Sequence, residues 1–189
     1  MLEKFKGKQV SLRPVLEEDI PAFERFMNDF EATFFTGSMP GLYTQAEEKD
    51  YFKPAEDKRQ FSVLFNGEVI GIIELFDIDF INRTAVLGIM IGKEEVRSRG
   101  LGQDIINLAL DYGFYLLNLE SIALTCYSFN ARARALYKKC GFKEIGHWRK
   151  SRCILGTYYD TIYMDILKED HKPYVLYQQM QDTINKYQK

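Results

Sequence analysis

A chain of 189 residues, 46% hydrophobic and 28% charged, suffices for one well-filled core and falls short of two full domains. A formal net charge of -2 with a pI near 5.8 offers no basic field for nucleic acid. Cys126, Cys140 and Cys153 show no Cys-x-x-Cys spacing, two histidines add no zinc set, and no apolar run reads as a signal peptide or bilayer span, which predicts a cytoplasmic protein with no metal, nucleic-acid or membrane partner.

Val10 to Pro14 alternates and stops at proline, as a short strand does, and Glu17-Glu18-Asp19 leads into a helix over Ile20 to Phe30, with Ile20, Phe23, Phe26, Met27 and Phe30 at helical spacing. Thr36 to Tyr43 is a loop, and Thr44-Gln45-Ala46-Glu47 is a capping box opening a short helix through about Phe52. Phe61 to Phe65 and Val69 to Leu75 flank Asn66-Gly67, a hairpin signal, and a third strand, Ala85 to Ile91, pairs with the second across the Asp77 to Arg83 turn. Leu101 to Leu117 carries a helical stripe of Leu101, Ile105, Leu108, Ala109, Tyr112 and Leu116. Ile122 to Tyr127 is strand-like, Asn130 and Gly141 bracket a short helix, and the last strand lies near Tyr158 to Leu167. From His171 the chain becomes an amphipathic helix, with Pro173 suited to its first turn and Tyr177, Met180, Ile184 and Tyr187 on one face. That face packs on the same subunit or, in the alternative, on a second copy in a homo-oligomer.

The order is strand, two helices, three strands, helix, strand, helix, two strands, which implies a mixed α/β sheet with helices on both faces. Its third strand runs into Arg97-Ser98-Arg99-Gly100-Leu101-Gly102-Gln103 and then a helix. Glycines there let the backbone approach a ligand, and the unpaired N–H groups of a helix start carry the positive dipole end, so the segment is built to hold an anion such as a pyrophosphate. No P-loop or dinucleotide glycine pattern is present.

Arg97-x-x-Gly100-x-Gly102 resembles the cofactor loop of the GNAT N-acetyltransferases. Asn130-x-x-Ala133-x-x-Leu136-Tyr137-x-x-x-Gly141-Phe142 is similar to the signature that follows it in that family. The resemblance covers residues 1–170, leaving 171–189 as a C-terminal helical extension. It implies the GNAT acyl-CoA fold, a mostly antiparallel sheet of six to seven strands, and acetyl transfer from acetyl-CoA to a primary amine by direct attack in a ternary complex.

The resemblance also implies the site. The backbone of Ile89, Met90 and Ile91 pairs with pantetheine amides as an added strand. Arg97, Ser98, Arg99, Gly100, Leu101, Gly102 and Gln103 hold the pyrophosphate, and Asn130 and Tyr137 meet the pantetheine end. Tyr137 matches the general acid that protonates the departing thiolate. A phenol near pKa 10 facing a thiol near 8.5 makes that transfer uphill by about 2 kcal/mol, which a coupled acyl transfer absorbs.

An alkyl ammonium is only about one part in a thousand neutral at pH 7, so a base is needed. Glu74, a carboxylate inside an apolar run, is the candidate, ahead of Asp77 and Asp79. The alternative is an edge residue paired with Arg83 or Lys93. Val86-Leu87-Gly88 supplies no acid where some family members carry a glutamate. Within that family the runs Ala109 to Phe114 and Cys140 to His147 resemble most the spermidine N-acetyltransferases and the N-terminal acetyltransferases of ribosomal proteins. The acceptor expected is a polyamine or similar small amine, with a protein N-terminus as the alternative and a non-catalytic acyl-CoA sensor as a second. Thr36 to Gly41 contains no acid; Glu31, Glu47, Glu48 and Asp50 flank it.

Overall fold

Alternating apolar positions lay down one eight-stranded sheet in the computed structural model, which describes residues 5–37, 40–97 and 99–188. The strands are β1 (Phe5–Lys6), β2 (Ser11–Pro14), β3 (Arg59–Phe65), β4 (Glu68–Asp79), β5 (Thr84–Ile91), β6 (Ser121–Tyr127), β7 (Lys143–Ile154) and β8 (Thr157–Leu167). They stand in the order β1-β2-β3-β4-β5-β6-β8-β7, antiparallel except at β5–β6. The count exceeds the expected six to seven because Phe5–Lys6 adds an edge strand, folded back by the Gly7 N–H to Val10 carbonyl bond. Two residues inside a charged run carry no alternation signal.

The helices are α1 (Ile20–Met27), α2 (Phe30–Thr33), α3 (Gln45–Tyr51), α4 (Leu101–Asp111), α5 (Ala131–Lys139) and α6 (Val175–Tyr187). The single helix expected over Ile20 to Phe30 is broken, because the Asp29 carboxylate accepts from the Ala32 N–H at 2.7 Å and starts a new turn there. Phe30 is consequently exposed. The Thr44–Glu47 capping box forms, and Asn66 and Gly67 both take positive φ at the β3–β4 turn.

Alternate residues of β4 divide the two faces. Ile73, Leu75 and Ile78 join the main core with α4, whereas Ile72, Glu74 and Phe76 face a cavity that residues of α1 and α3 also line. A π turn over Tyr112–Leu116 continues α4. Its extra residue per turn rotates the expected stripe, so Phe114 is fully buried and Leu116 is turned outward.

Buried carboxylates on α4 fasten both ends of the chain. Asp104 accepts from the N–H groups of Lys8, Gln9 and Val10 at 3.1, 2.6 and 3.0 Å and from the Tyr174 hydroxyl at 2.9 Å. Asp111 meets His171 Nε2 at 2.7 Å and accepts from the N–H groups of Tyr174 and Tyr177, each at 2.9 Å. The first half of α6 is therefore covered by its own subunit, while Ile184 and Tyr187 remain exposed. Replacing Asp111 by alanine strands His171 and two amides in a dry site. Urea unfolding is expected to show a loss of about 3–5 kcal/mol, and a loss under 1 kcal/mol would overturn the fastening role. Among the described residues, no helix is long and apolar enough to cross a membrane.

Candidate active site

β5 and β6 run parallel only from Thr84 to Val86 against Ser121 to Ala123, and then diverge. Beyond that point β5 is paired with β4 alone and β6 with β8 alone among the described residues, which leaves the outer edge of β5 open. A cavity of about 580 Å³ occupies the wedge, with Gly88, Ile89 and Met90 on one wall and Thr125, Cys126, Asn130 and Tyr137 on the other. Ile91 lies just past it, its carbonyl accepting from Arg97 Nε at 3.2 Å.

Tyr137 is 9% exposed, and its hydroxyl has no hydrogen-bond partner among the described residues. Burial, with Cys126 and Cys140 beside it, raises the phenol far above its ordinary range. The same desolvation pushes the neighbouring Cys140 thiol up to about 11. A thiolate leaving into these surroundings is likewise made more basic, so burial acts on donor and acceptor in the same sense. Asn130 caps α5, its side-chain oxygen accepting from the Ala133 N–H at 3.1 Å.

Glu74 reaches the cavity from β4. The Tyr51 hydroxyl donates to its two oxygens at 2.8 and 2.7 Å, and Gln60 Nε2 donates at 2.9 Å. Neither partner of the edge-residue alternative is present, since Arg83 pairs with Glu120 and Lys93 with Glu68. Asp79 is occupied by the turn amides of Ile81 and Asn82, and neither it nor Asp77 lines the cavity.

Gly88 stands opposite Glu74 in the β4–β5 register, and a Cβ there would come within 2.8 Å of the Glu74 carboxylate. The strand thus lacks a side chain at the place that the neighbouring strand's carboxylate fills. Tyr51, Gln60 and Gly88 have no sequence signal of their own, because each matters only through the pairing of distant segments.

The glycine loop divides its two glycines by role. Gly100 is the left-handed N-cap of α4 at φ +80°, and a Cβ on it would meet nothing within 4 Å. No side chain caps this helix among the described residues, which leaves its first N–H groups for an anion. Gly102 instead packs α4 on α5, where a Cβ would come within 2.7 Å of Leu136. The Leu101 side chain is in the core, so only its main chain is available, and Gln103 returns its N–H to the Gly100 carbonyl at 3.3 Å.

Arg99 is exposed, and Ser98 lies outside the described residues. Arg97 turns its guanidinium onto the carbonyls of Ile91 and Gly92 and toward Glu31 at 3.7 Å, bracing the end of β5. A second hollow beside the loop shares Phe35 with the cavity and carries Arg97 and Arg132. Gly100→Val, which places a branched side chain at a left-handed position, is expected to raise the acetyl-CoA KM at least tenfold. An unchanged KM would remove Gly100 from the cofactor cradle.

A family model described as an acetyltransferase (GNAT) domain matches residues 9–143. The spermidine N(1)-acetyltransferase of Vibrio cholerae serotype O1 is 40% identical over 168 residues, covering 87% of this chain and 96% of that protein. A putative ribosomal N-acetyltransferase of Bacillus subtilis is 30% identical over 108 residues, covering 57% of this chain and 58% of that protein. The crystal structure of the Vibrio cholerae spermidine N-acetyltransferase in complex with CoA and spermine superposes with a TM-score of 0.80 at 31% identity, covering 86% of this chain and 97% of that one.

Proposed function

The chain belongs to the GNAT acetyltransferase family and is an acetyl-CoA-dependent N-acetyltransferase; from that premise we propose that it acetylates a primary amine of a polyamine by direct attack on the thioester in a ternary complex. The observation that carries this reading is the single cavity into which the open β5 edge, the unpartnered Tyr137 hydroxyl and the Glu74 carboxylate all project. Acetyl-CoA supplies the activated acyl group. Main-chain groups of Ile89, Met90 and Ile91 hold its pantetheine arm, joined by the Asn130 amide nitrogen that helix capping leaves unused. The start of α4 at Gly100 takes the pyrophosphate, with the exposed Arg99 next to it in the chain and Arg97 bracing the end of β5.

Glu74 accepts the ammonium proton of the acceptor, Tyr51 and Gln60 fixing the orientation of its carboxylate. An N–H of β5 polarises the thioester carbonyl, and Tyr137 gives its proton to the departing sulfur. A non-catalytic acyl-CoA sensor has no need of either side chain.

The polyamine assignment draws on the Vibrio cholerae spermidine enzyme to which the chain is similar and on the acids of the acceptor end. Of the four acids flanking the Thr36 to Gly41 loop, Glu47 and Glu48 line the cavity. Glu31 faces Arg97 and Asp50 is paired with Lys53. Residues 1–170 form the catalytic domain in this reading, and 171–189 an appended helix. The three free thiols suit a reducing, cytoplasmic compartment.

Initial rates of thiol release with acetyl-CoA and spermidine varied together test the mechanism. Intersecting double-reciprocal lines are expected; parallel lines with an accumulating acetylated protein would replace direct attack by a covalent route. Release with N-terminal peptides but not with spermidine would overturn the acceptor assignment.

A further inference from the structure

Three carboxylates, Glu47, Glu48 and Glu74, line the cavity, and Glu24 lies beside Glu48 outside the lining; three of these four are occupied. Glu47 accepts from the Thr44 N–H and hydroxyl, each at 2.8 Å, closing the cap of α3. Glu24 accepts from Gln45 Nε2 at 2.8 Å, and Glu74 is held by Tyr51 and Gln60. Glu48 lines the same cavity, is only 4% exposed, and has no hydrogen bond or ion pair at its carboxylate among the described residues.

The Glu48 oxygens therefore open onto the cavity, since no Glu48 atom is among the buried unpaired polar atoms of the described residues. Burial, with Glu47 and Glu24 adding to it, pushes the Glu48 carboxyl above the usual carboxylate range. A carboxylate turned to the cavity with no protein donor beside it is a place for a cation brought in by a ligand. Glu48 and Tyr51 lie three residues apart on one face of α3, and the Tyr51 hydroxyl rests on Glu74. The helix thereby links the carboxylate that faces the reacting nitrogen to the one that has no partner.

We propose that Glu48 receives the second, non-reacting ammonium of a di- or polyamine while the nitrogen to be acetylated lies against Glu74. The inference rests on the polyamine reading above and makes Glu48 the residue that separates polyamines from monoamines. A diamine fills both positions. A short monoamine leaves Glu48 without a ligand partner, and a site that places a polar group for one part of its ligand discriminates against the analogue that lacks it.

The test compares kcat/KM, by thiol release, for spermidine and for n-propylamine. The wild-type protein is expected to favour spermidine by at least tenfold, and equal values would overturn the proposal whether or not a variant folds. In Glu48→Gln the ratio of the two values is expected to fall about ten- to hundredfold, as for loss of a charged hydrogen-bond partner, mainly through the KM for spermidine. Glu48→Asp, which keeps the charge, is expected to recover part of the ratio.

An unchanged ratio in a Glu48→Gln protein of normal melting temperature and normal acetyl-CoA KM would mean that Glu48 is a neutral structural residue, and would overturn the proposal alone. Failure of the wild-type protein to release thiol with either amine would overturn the polyamine reading, and this inference with it.

Discussion

Glu74→Gln is expected to lower kcat/KM for a polyamine at pH 7 by about 10²–10⁴, the range for loss of a positioned general base. Glutamine keeps the size of the side chain and leaves an oxygen for Tyr51 and Gln60, so the β3–β4 wall should survive. What disappears is the proton acceptor. The variant then depends on the small fraction of amine that arrives neutral, and that fraction grows tenfold per pH unit up to the amine pKa near 10. Its deficit against wild type should accordingly shrink as pH rises from 7 to 10. A deficit that stays constant across this range, or a rate within threefold of wild type at pH 7, would show that Glu74 is not the base.

Tyr137→Phe is expected to lower kcat by about 10²–10³ with acetyl-CoA affinity nearly unchanged. The substitution preserves the ring that packs beside Phe142, at a centroid distance of 6.0 Å, and removes only the hydroxyl. Because that hydroxyl has no hydrogen-bond partner among the described residues, its loss should leave the melting temperature close to wild type. A structural hydroxyl would behave in the opposite way, with a stability loss on the order of 1 kcal/mol and normal turnover. Melting and thiol release measured on one preparation separate the two roles. Near-normal kcat would end the general-acid assignment.

These two residues differ in how much of their role can be read before folding. Tyr137 sits in a spaced pattern with Asn130, Leu136, Gly141 and Phe142, and the family resemblance carried by that pattern names its role directly. In the sequence Glu74 is marked only as a carboxylate within an apolar run, which two explanations fit equally. Geometry gives it Tyr51 and Gln60 as partners and leaves Arg83 and Lys93 to other acids. Gly88 inverts its sequence reading altogether. Taken along the chain it is the absence of an acid; across the sheet it is the space that the Glu74 carboxylate occupies.

The features that the sequence by itself determined are those whose energetics close within a few residues. The Thr44–Glu47 box, the Asn66-Gly67 turn, the Asn130 cap, the left-handed Gly100 and Gly141, and the alternation of β3 to β5 each follow from backbone preferences and hydrogen bonds reaching at most one turn away. Tertiary structure alone decided what spans the fold: the hydroxyl of Tyr51 on Glu74, the packing of Gly102 on Leu136, and the hold of Asp111 on His171 sixty residues away. It also decided which of several acids would face the cavity without a protein partner. Such pairings depend on strand register and on where a crossover returns the chain, and side-chain spacing along one segment contains neither quantity.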